Sequence, residues 1–164
     1  MAITHARAYV KQISLYLNNE DYEKAHSLSR EFVAAFKDNL PAHTLLALSA
    51  YRVGEFDEAA KEGRTAFNMT NNPDDMLACA LITALAYYDL GEFEKGYEIL
   101  SAMEKSKKTD GLESLLVIFA LALNSPDEAF RHYEELHTLN KDAAEGLLFR
   151  IVEGMASQEA SQES

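Results

Sequence analysis

Apolar residues recur at intervals of three and four along most of the chain, the spacing of one face of a helix. Residues 6–18 carry Tyr9, Ile13, Tyr16 and Leu17 at that spacing, and Asn18-Asn19 closes the segment. A second helix is expected from about Asp21 to Phe36, with Tyr22, Ala25, Leu28, Phe32 and Phe36 on one stripe and Glu23, Lys24, Arg30 and Glu31 off it. The third, from Ala42 to Tyr51, is almost wholly apolar. The fourth, from Phe56 to about Met69, sets Phe56, Ala59, Ala60, Gly63, Ala66 and Phe67 against Asp57, Glu58, Lys61, Glu62 and Arg64. The alternation continues with a charge-free segment from Met76 to Tyr88, an amphipathic one from Phe93 to about Lys105, and a nearly charge-free one from Leu112 to Leu123. An eighth helix runs through Ala129, Phe130, Tyr133 and Leu136. A ninth, from about Lys141 to Met155, shows Leu147, Leu148, Ile151, Val152 and Met155 on one side. The pattern predicts an all-α chain in which an apolar helix is followed each time by an amphipathic one.

The joints between these helices have recognisable chemistry. Tyr51-Arg-Val-Gly54-Glu-Phe56 recurs in outline as Tyr88-Asp-Leu-Gly91-Glu-Phe93, with a glycine able to take the left-handed conformation at a helix C-terminus. Asp38-Asn39-Leu40-Pro41 breaks and reopens the chain, since proline is tolerated in a first helical turn. The cluster from Thr70 to Asp75 reads as a turn, with Asp74 or Asp75 as the N-cap of the fifth helix. Ser125-Pro126-Asp127-Glu128 has the form of a capping box. Residues 156–164, Ser-, Gln- and Glu-rich, are expected to be an unstructured tail.

The small residue in the middle of each second helix serves as a ruler: Ala25, Ala59, Gly96 and Ala129 recur at intervals of 34, 37 and 33 residues. A helix-turn-helix unit of this period resembles the tetratricopeptide repeat family. The resemblance implies a right-handed solenoid of helical hairpins in a single domain over residues 1–155, with repeats at about 6–39, 40–73, 77–109 and 110–140 and a capping helix at about 141–155. Repeats two and three carry the family's small residue at Ala47 and Ala84, its glycine at Gly54 and Gly91, and its aromatic at Phe56 and Phe93. In repeats one and four the small site holds Ile13 and Val117, and the glycine is replaced by Glu20 and Asn124.

In that family the first helix of each repeat lines a concave binding face. By register, the resemblance implies a partner-binding groove formed by Val10, Leu17, Leu45, Leu48, Tyr51, Leu81, Ile82, Leu85, Tyr88, Leu115 and Ile118. Family members that clamp an acidic C-terminus place Lys, Arg and Asn at several of these positions; here Val10, Ser14, Leu45, Ala78 and Ile82 stand there, which excludes a carboxylate clamp. An apolar face is similar instead to that of small bacterial tetratricopeptide chaperones of type III secretion, which hold a helix of a secreted subunit. The expected partner is another protein presenting an apolar or amphipathic helix. The alternative is a structural protein that pairs with a second copy through the same surface.

Charge and composition narrow the classes further. With 15 Lys and Arg against 27 Asp and Glu, the formal charge is -12, which disfavours nucleic acid because an acidic surface releases no counterions from phosphates. No apolar stretch approaches the roughly 20 residues that cross a bilayer, so membrane insertion is not expected. The single cysteine, Cys79, permits no intrachain disulfide, and the N-terminal residues lack the plan of a signal peptide; both fit a cytoplasmic protein. His5, His26, His43, His132 and His137 are scattered, none beside an acid at ligand spacing on one helix face, so no metal site is expected. No nucleophile elbow or phosphate loop appears, and the expectation is a non-enzymatic adaptor or chaperone with no cofactor.

Overall fold

The computed structural model describes residues 5–162; the first residues of the N-terminal stretch read above for a leader, and the last two of the tail, lie outside it. Among the described residues the regular structure is helical: α1 (Ala6–Asn18), α2 (Tyr22–Ala35), α3 (Leu40–Val53), α4 (Phe56–Asn68), α5 (Pro73–Asp89), α6 (Phe93–Glu104), α7 (Asp110–Ala122), α8 (Pro126–Leu139) and α9 (Lys141–Gln162). The described residues pack as two compact units, one reaching to Lys107 and one starting at Lys108.

One turn geometry joins the two helices of every hairpin. The residue at the corner has a positive φ of 60° at Glu20, 85° at Gly54, 73° at Gly91 and 55° at Asn124. The next N–H then reaches back to the carbonyl five residues earlier: Asp21 to Tyr16, Glu55 to Ala50, Glu92 to Tyr87 and Ser125 to Ala120, each at 2.9 Å. This is the Schellman closure, and it satisfies carbonyls that a helix end would otherwise leave without partners. Repeats one and four therefore keep the turn although they lack its glycine. The geometry follows the backbone bonds, and Glu20 and Asn124 accept the conformation that glycine takes freely.

The long connections start differently. Asn39 Oδ1 accepts from the Ala42 N–H at 3.0 Å, and Thr109 Oγ1 from the Leu112 N–H at 3.2 Å. At α5 the cap is Asn72, whose Oδ1 accepts from the N–H groups of Asp74 and Asp75 at 2.9 and 3.1 Å, rather than either aspartate. The aspartates sit in the first turn, where negative charge suits the helix dipole. Ser125 makes no capping bond with its side chain, so the expected box does not form; Glu128 is instead held by Arg131 at 2.9 Å. Helices α3 and α5 start two and three residues before their apolar runs, because the prolines open the first turn and the asparagines cap it.

In the first unit, the core opens on Tyr9, Ile13, Ala25, Phe32 and Ala42, with the Tyr9 and Phe32 rings stacked at 4.8 Å. It continues through Ala50, Ala59, Ala60, Ala86 and Tyr87. Small residues here let helices approach: a Cβ at Gly63 of α4 would collide with Thr83 Oγ1 of α5. The first helices also pack on one another, α1 on α3 and α3 on α5.

In the second unit, Val117, Leu136, Ala144 and Leu147 form the core, with Ile151 leaning on it. Packing of α9 is narrower than the sequence suggests. Ala144, Leu147 and Ile151 face α7 and α8, whereas Leu148 and Val152, one residue further round the helix, and Met155, one turn beyond Ile151, are exposed. The tail expected to be unstructured continues α9 to Gln162, since nothing after Gly154 breaks a run of good helix formers. None of those tail residues is buried.

Candidate binding face

Eleven apolar positions were expected to line a groove, and nine of them lie in the first unit: Val10 and Leu17 on α1, Leu45, Leu48 and Tyr51 on α3, and Leu81, Ile82, Leu85 and Tyr88 on α5. None of the nine is buried. Tyr88 is exposed and the others are half-buried, while residues on the opposite sides of the same helices, such as Ile13, Ala47 and Ala84, are fully enclosed. The distinction follows from the sequence register: Ala47 and Ala84 turn inward against the second helices, and Leu48 and Leu85 stand one position further round. Leu115 and Ile118 belong to the second unit, where Ile118 packs against that unit's own core and Leu115 is half-buried.

A cleft of about 260 Å³ opens between α1, α3 and α5, lined by Val10, Leu40, Pro41, Thr44, Leu45, Asp75 and Ala78. Val10 and Leu45 were expected on this surface. Leu40 and Asp75 were not, because the apolar runs that marked helices three and five start at Ala42 and Met76. The asparagine-proline pairing that opens both helices is the signal that would have placed them. Thr44 adds little polarity, since its hydroxyl donates to the Leu40 carbonyl at 3.0 Å. At the far end of the face Tyr51 packs on Phe56 at 5.5 Å and Tyr88 on Phe93 at 5.2 Å, so each turn aromatic props the tyrosine before it. Burial and a hydrogen bond to Asp89 push the Tyr51 hydroxyl above its ordinary range.

Cys79 is buried beside Thr44, with 3.7 Å between Sγ and Oγ1, and burial pushes its thiol up, away from the reactive thiolate.

The structure also joins histidines to acids across helices, a relation that inspection of single helix faces misses. His26 Nε2 of α2 lies 2.7 Å from Glu58 Oε2 of α4, and Arg30 donates to both oxygens of the same carboxylate at 3.0 and 2.8 Å. Burial alone would raise the Glu58 carboxyl, but the bonds from Arg30 and His26 outweigh it and hold the group below the ordinary carboxylate range. One turn along α4, Glu62 Oε2 meets His43 Nδ1 of α3 at 2.6 Å, and the other ring nitrogen of His43 meets the Lys37 carbonyl at 2.7 Å. In the second unit, His132 Nδ1 meets Glu113 Oε2 at 2.8 Å, both side chains fully buried. Counted from the turn residues Gly54 and Asn124, His43 corresponds to Glu113 and Glu62 to His132. The same two positions thus hold the same pair in exchanged order, each time 19 residues apart. That shared spacing was legible in the sequence. The His43 and His132 pairs tie the two helices of a hairpin together, and His26 with Glu58 ties α2 to α4.

No family model matches the chain, and no curated protein does. Solved structures do. A structure of MamA from MSR-1 superposes with a TM-score of 0.73 at 15% identity, over 85% of this chain and 79% of that one. PilF of Pseudomonas aeruginosa gives 0.72 at 19% identity, over 94% and 72%. A MamA RS-1 double mutant gives 0.73 at 10% identity, over 94% and 97%. These neighbours are tetratricopeptide-repeat proteins, and at such identities they establish the fold and nothing finer.

Proposed function

We propose, with the tetratricopeptide-like helical solenoid as the premise, that the chain is a non-enzymatic protein-interaction module whose first-helix face in the first unit holds an apolar or amphipathic helix of a partner protein. One observation carries this reading: nine apolar side chains on three neighbouring helices, Val10 to Tyr88, remain accessible while the positions beside them are enclosed. A continuous apolar patch of this kind on a soluble domain marks an interaction surface more often than chance exposure. Burial returns roughly 25 cal/mol per Å², and association and ordering consume most of it, so affinities between micromolar and nanomolar are expected. No helix among the described residues is long and apolar enough to cross a membrane. The fuller reading is a cytoplasmic adaptor or chaperone that works without cofactor, nucleic acid or metal.

The test is Leu48→Asp combined with Leu85→Asp, both on the half-buried stripe. Circular dichroism should show retained helix, and a partner that co-purifies with the parent chain should be lost. Capture that persists in the folded double variant would move the site off this face. Purification as a lone symmetric dimer, dissociated by the same two substitutions, would establish self-association as the use of the surface.

A further inference from the structure

We infer that the cleft between α1, α3 and α5 selects a helix that carries a basic residue beside its apolar anchor. This rests on the helix-binding reading above and adds the chemistry of the segment bound. At about 260 Å³ the cleft falls below the roughly 300–1,000 Å³ of small-molecule sites, a size for a protruding side chain rather than for a cofactor. Its floor is apolar, and the Thr44 hydroxyl is already committed to its own helix. The one charged residue of the lining is Asp75.

Two observations make that carboxylate a selector. Its neighbour Asp74 pairs with Lys107, whereas Asp75, exposed in the first turn of α5, has no cation paired with it among the described residues. A wholly apolar segment laid over the cleft would strand Asp75 against it, and covering an unpaired charge is costly. A segment with Lys or Arg at that point escapes the penalty and gains an ion pair, so the discrimination comes as much from rejecting the wrong helix as from attracting the right one. Outside the lining, on α1, Arg7 and Lys11 lie three residues before and one after Val10 and are exposed. A helix crossing from α1 to α5 therefore passes exposed positive charge at its α1 end and Asp75 at its α5 end, which favours an acidic residue over α1 and a basic residue over Asp75.

The experiment uses the full chain and two synthetic amphipathic peptides of about 18 residues, about 27 Å long as helices. Both carry the same leucine stripe, and they differ only in Lys or Glu one turn from the central leucine. By fluorescence anisotropy the Lys peptide should bind about five- to tenfold more tightly, the order expected for one partly shielded ion pair. Asp75→Asn should bring the ratio close to one, and Asp75→Lys should invert it. Asp57→Asn, on the exposed side of α4, removes the same unit of net charge and should leave the ratio unchanged. A ratio that falls equally in Asp57→Asn and Asp75→Asn would overturn the inference, because the preference would then belong to the general acidity of the chain. Equal binding of the two peptides to the parent chain would also overturn it while leaving the apolar face as the site. Failure of both peptides to bind would remove the helix-binding reading as well.

Discussion

Glu20 and Asn124 hold φ values of 60° and 55°, a conformation that costs a residue with a Cβ and costs glycine almost nothing. Glu20→Gly is therefore expected to stabilise the fold by up to about 1 kcal/mol, less the added freedom of glycine in the unfolded chain, and Asn124→Gly by less, because asparagine tolerates this region. The converse substitutions, Gly54→Val and Gly91→Val, should each cost on the order of 1 kcal/mol or more in urea titrations. A Cβ at either glycine meets nothing within 4 Å, so the loss would be purely conformational. Gly63 is the opposite case. Its Cβ would collide with Thr83 Oγ1, and Gly63→Ala should cost about 1–3 kcal/mol by overpacking. Adding Thr83→Ala removes the colliding oxygen and leaves a 3.3 Å contact with Cβ, so the double variant should recover most of the loss in a double-mutant cycle. Glu58 supplies a pH dependence. Its carboxyl is lower in the folded chain than in the unfolded one, so its contribution is complete above the ordinary carboxylate pKa of about 4.3 and is lost as pH falls through the lower folded value. Melting temperatures of the parent and Glu58→Gln should differ at neutral pH and converge in acid.

At the scale of elements, the exchanged His–Glu pairs show which parts of the fold could be read in advance. Turn glycines and apolar stripes are local signals, and they located each hairpin to within a few residues of its ends. The bonds from His26 to Glu58, His43 to Glu62 and His132 to Glu113 are made between different helices, and an amphipathicity argument treats such residues as solvated polar positions. Leu40 and Asp75 escaped for a related reason: an apolar run marks where a helix is buried, whereas a capped first turn starts before burial does. The narrow seat of α9 was missed because Leu147 and Leu148 are equivalent to a hydrophobicity pattern and only the position of α7 and α8 tells them apart. The His43–Glu62 position has a built-in comparison, since repeat one places Tyr9 and Leu28 there and repeat three Ala80 and Ile99. His43→Tyr alone leaves a partly buried carboxylate without its partner and should cost about 1–3 kcal/mol. Combined with Glu62→Leu it recreates the pair of repeat one and should be neutral or stabilising, as replacement of a buried polar pair by apolar groups often is.

For the molecule as a whole, acidity and apolarity are separated in space. The formal charge of -12 is carried largely by exposed residues of the second helices and the turns, while the first-helix face of the first unit offers leucine, isoleucine and tyrosine. Affinity of a helix for that face should change little with added salt, and only the preference set by Asp75 should be screened. The central claim is that binding occurs on this face and not on the acidic one. Leucine methyl NMR of the full chain, titrated with the Lys-bearing amphipathic peptide, tests it most directly. The account predicts that the methyl signals of Leu45, Leu48, Leu81 and Leu85 shift while those of Leu28 on α2 and the enclosed Leu100 on α6 stay in place. Shifts centred on Leu28, with Leu48 and Leu85 unmoved at saturating peptide, would contradict it.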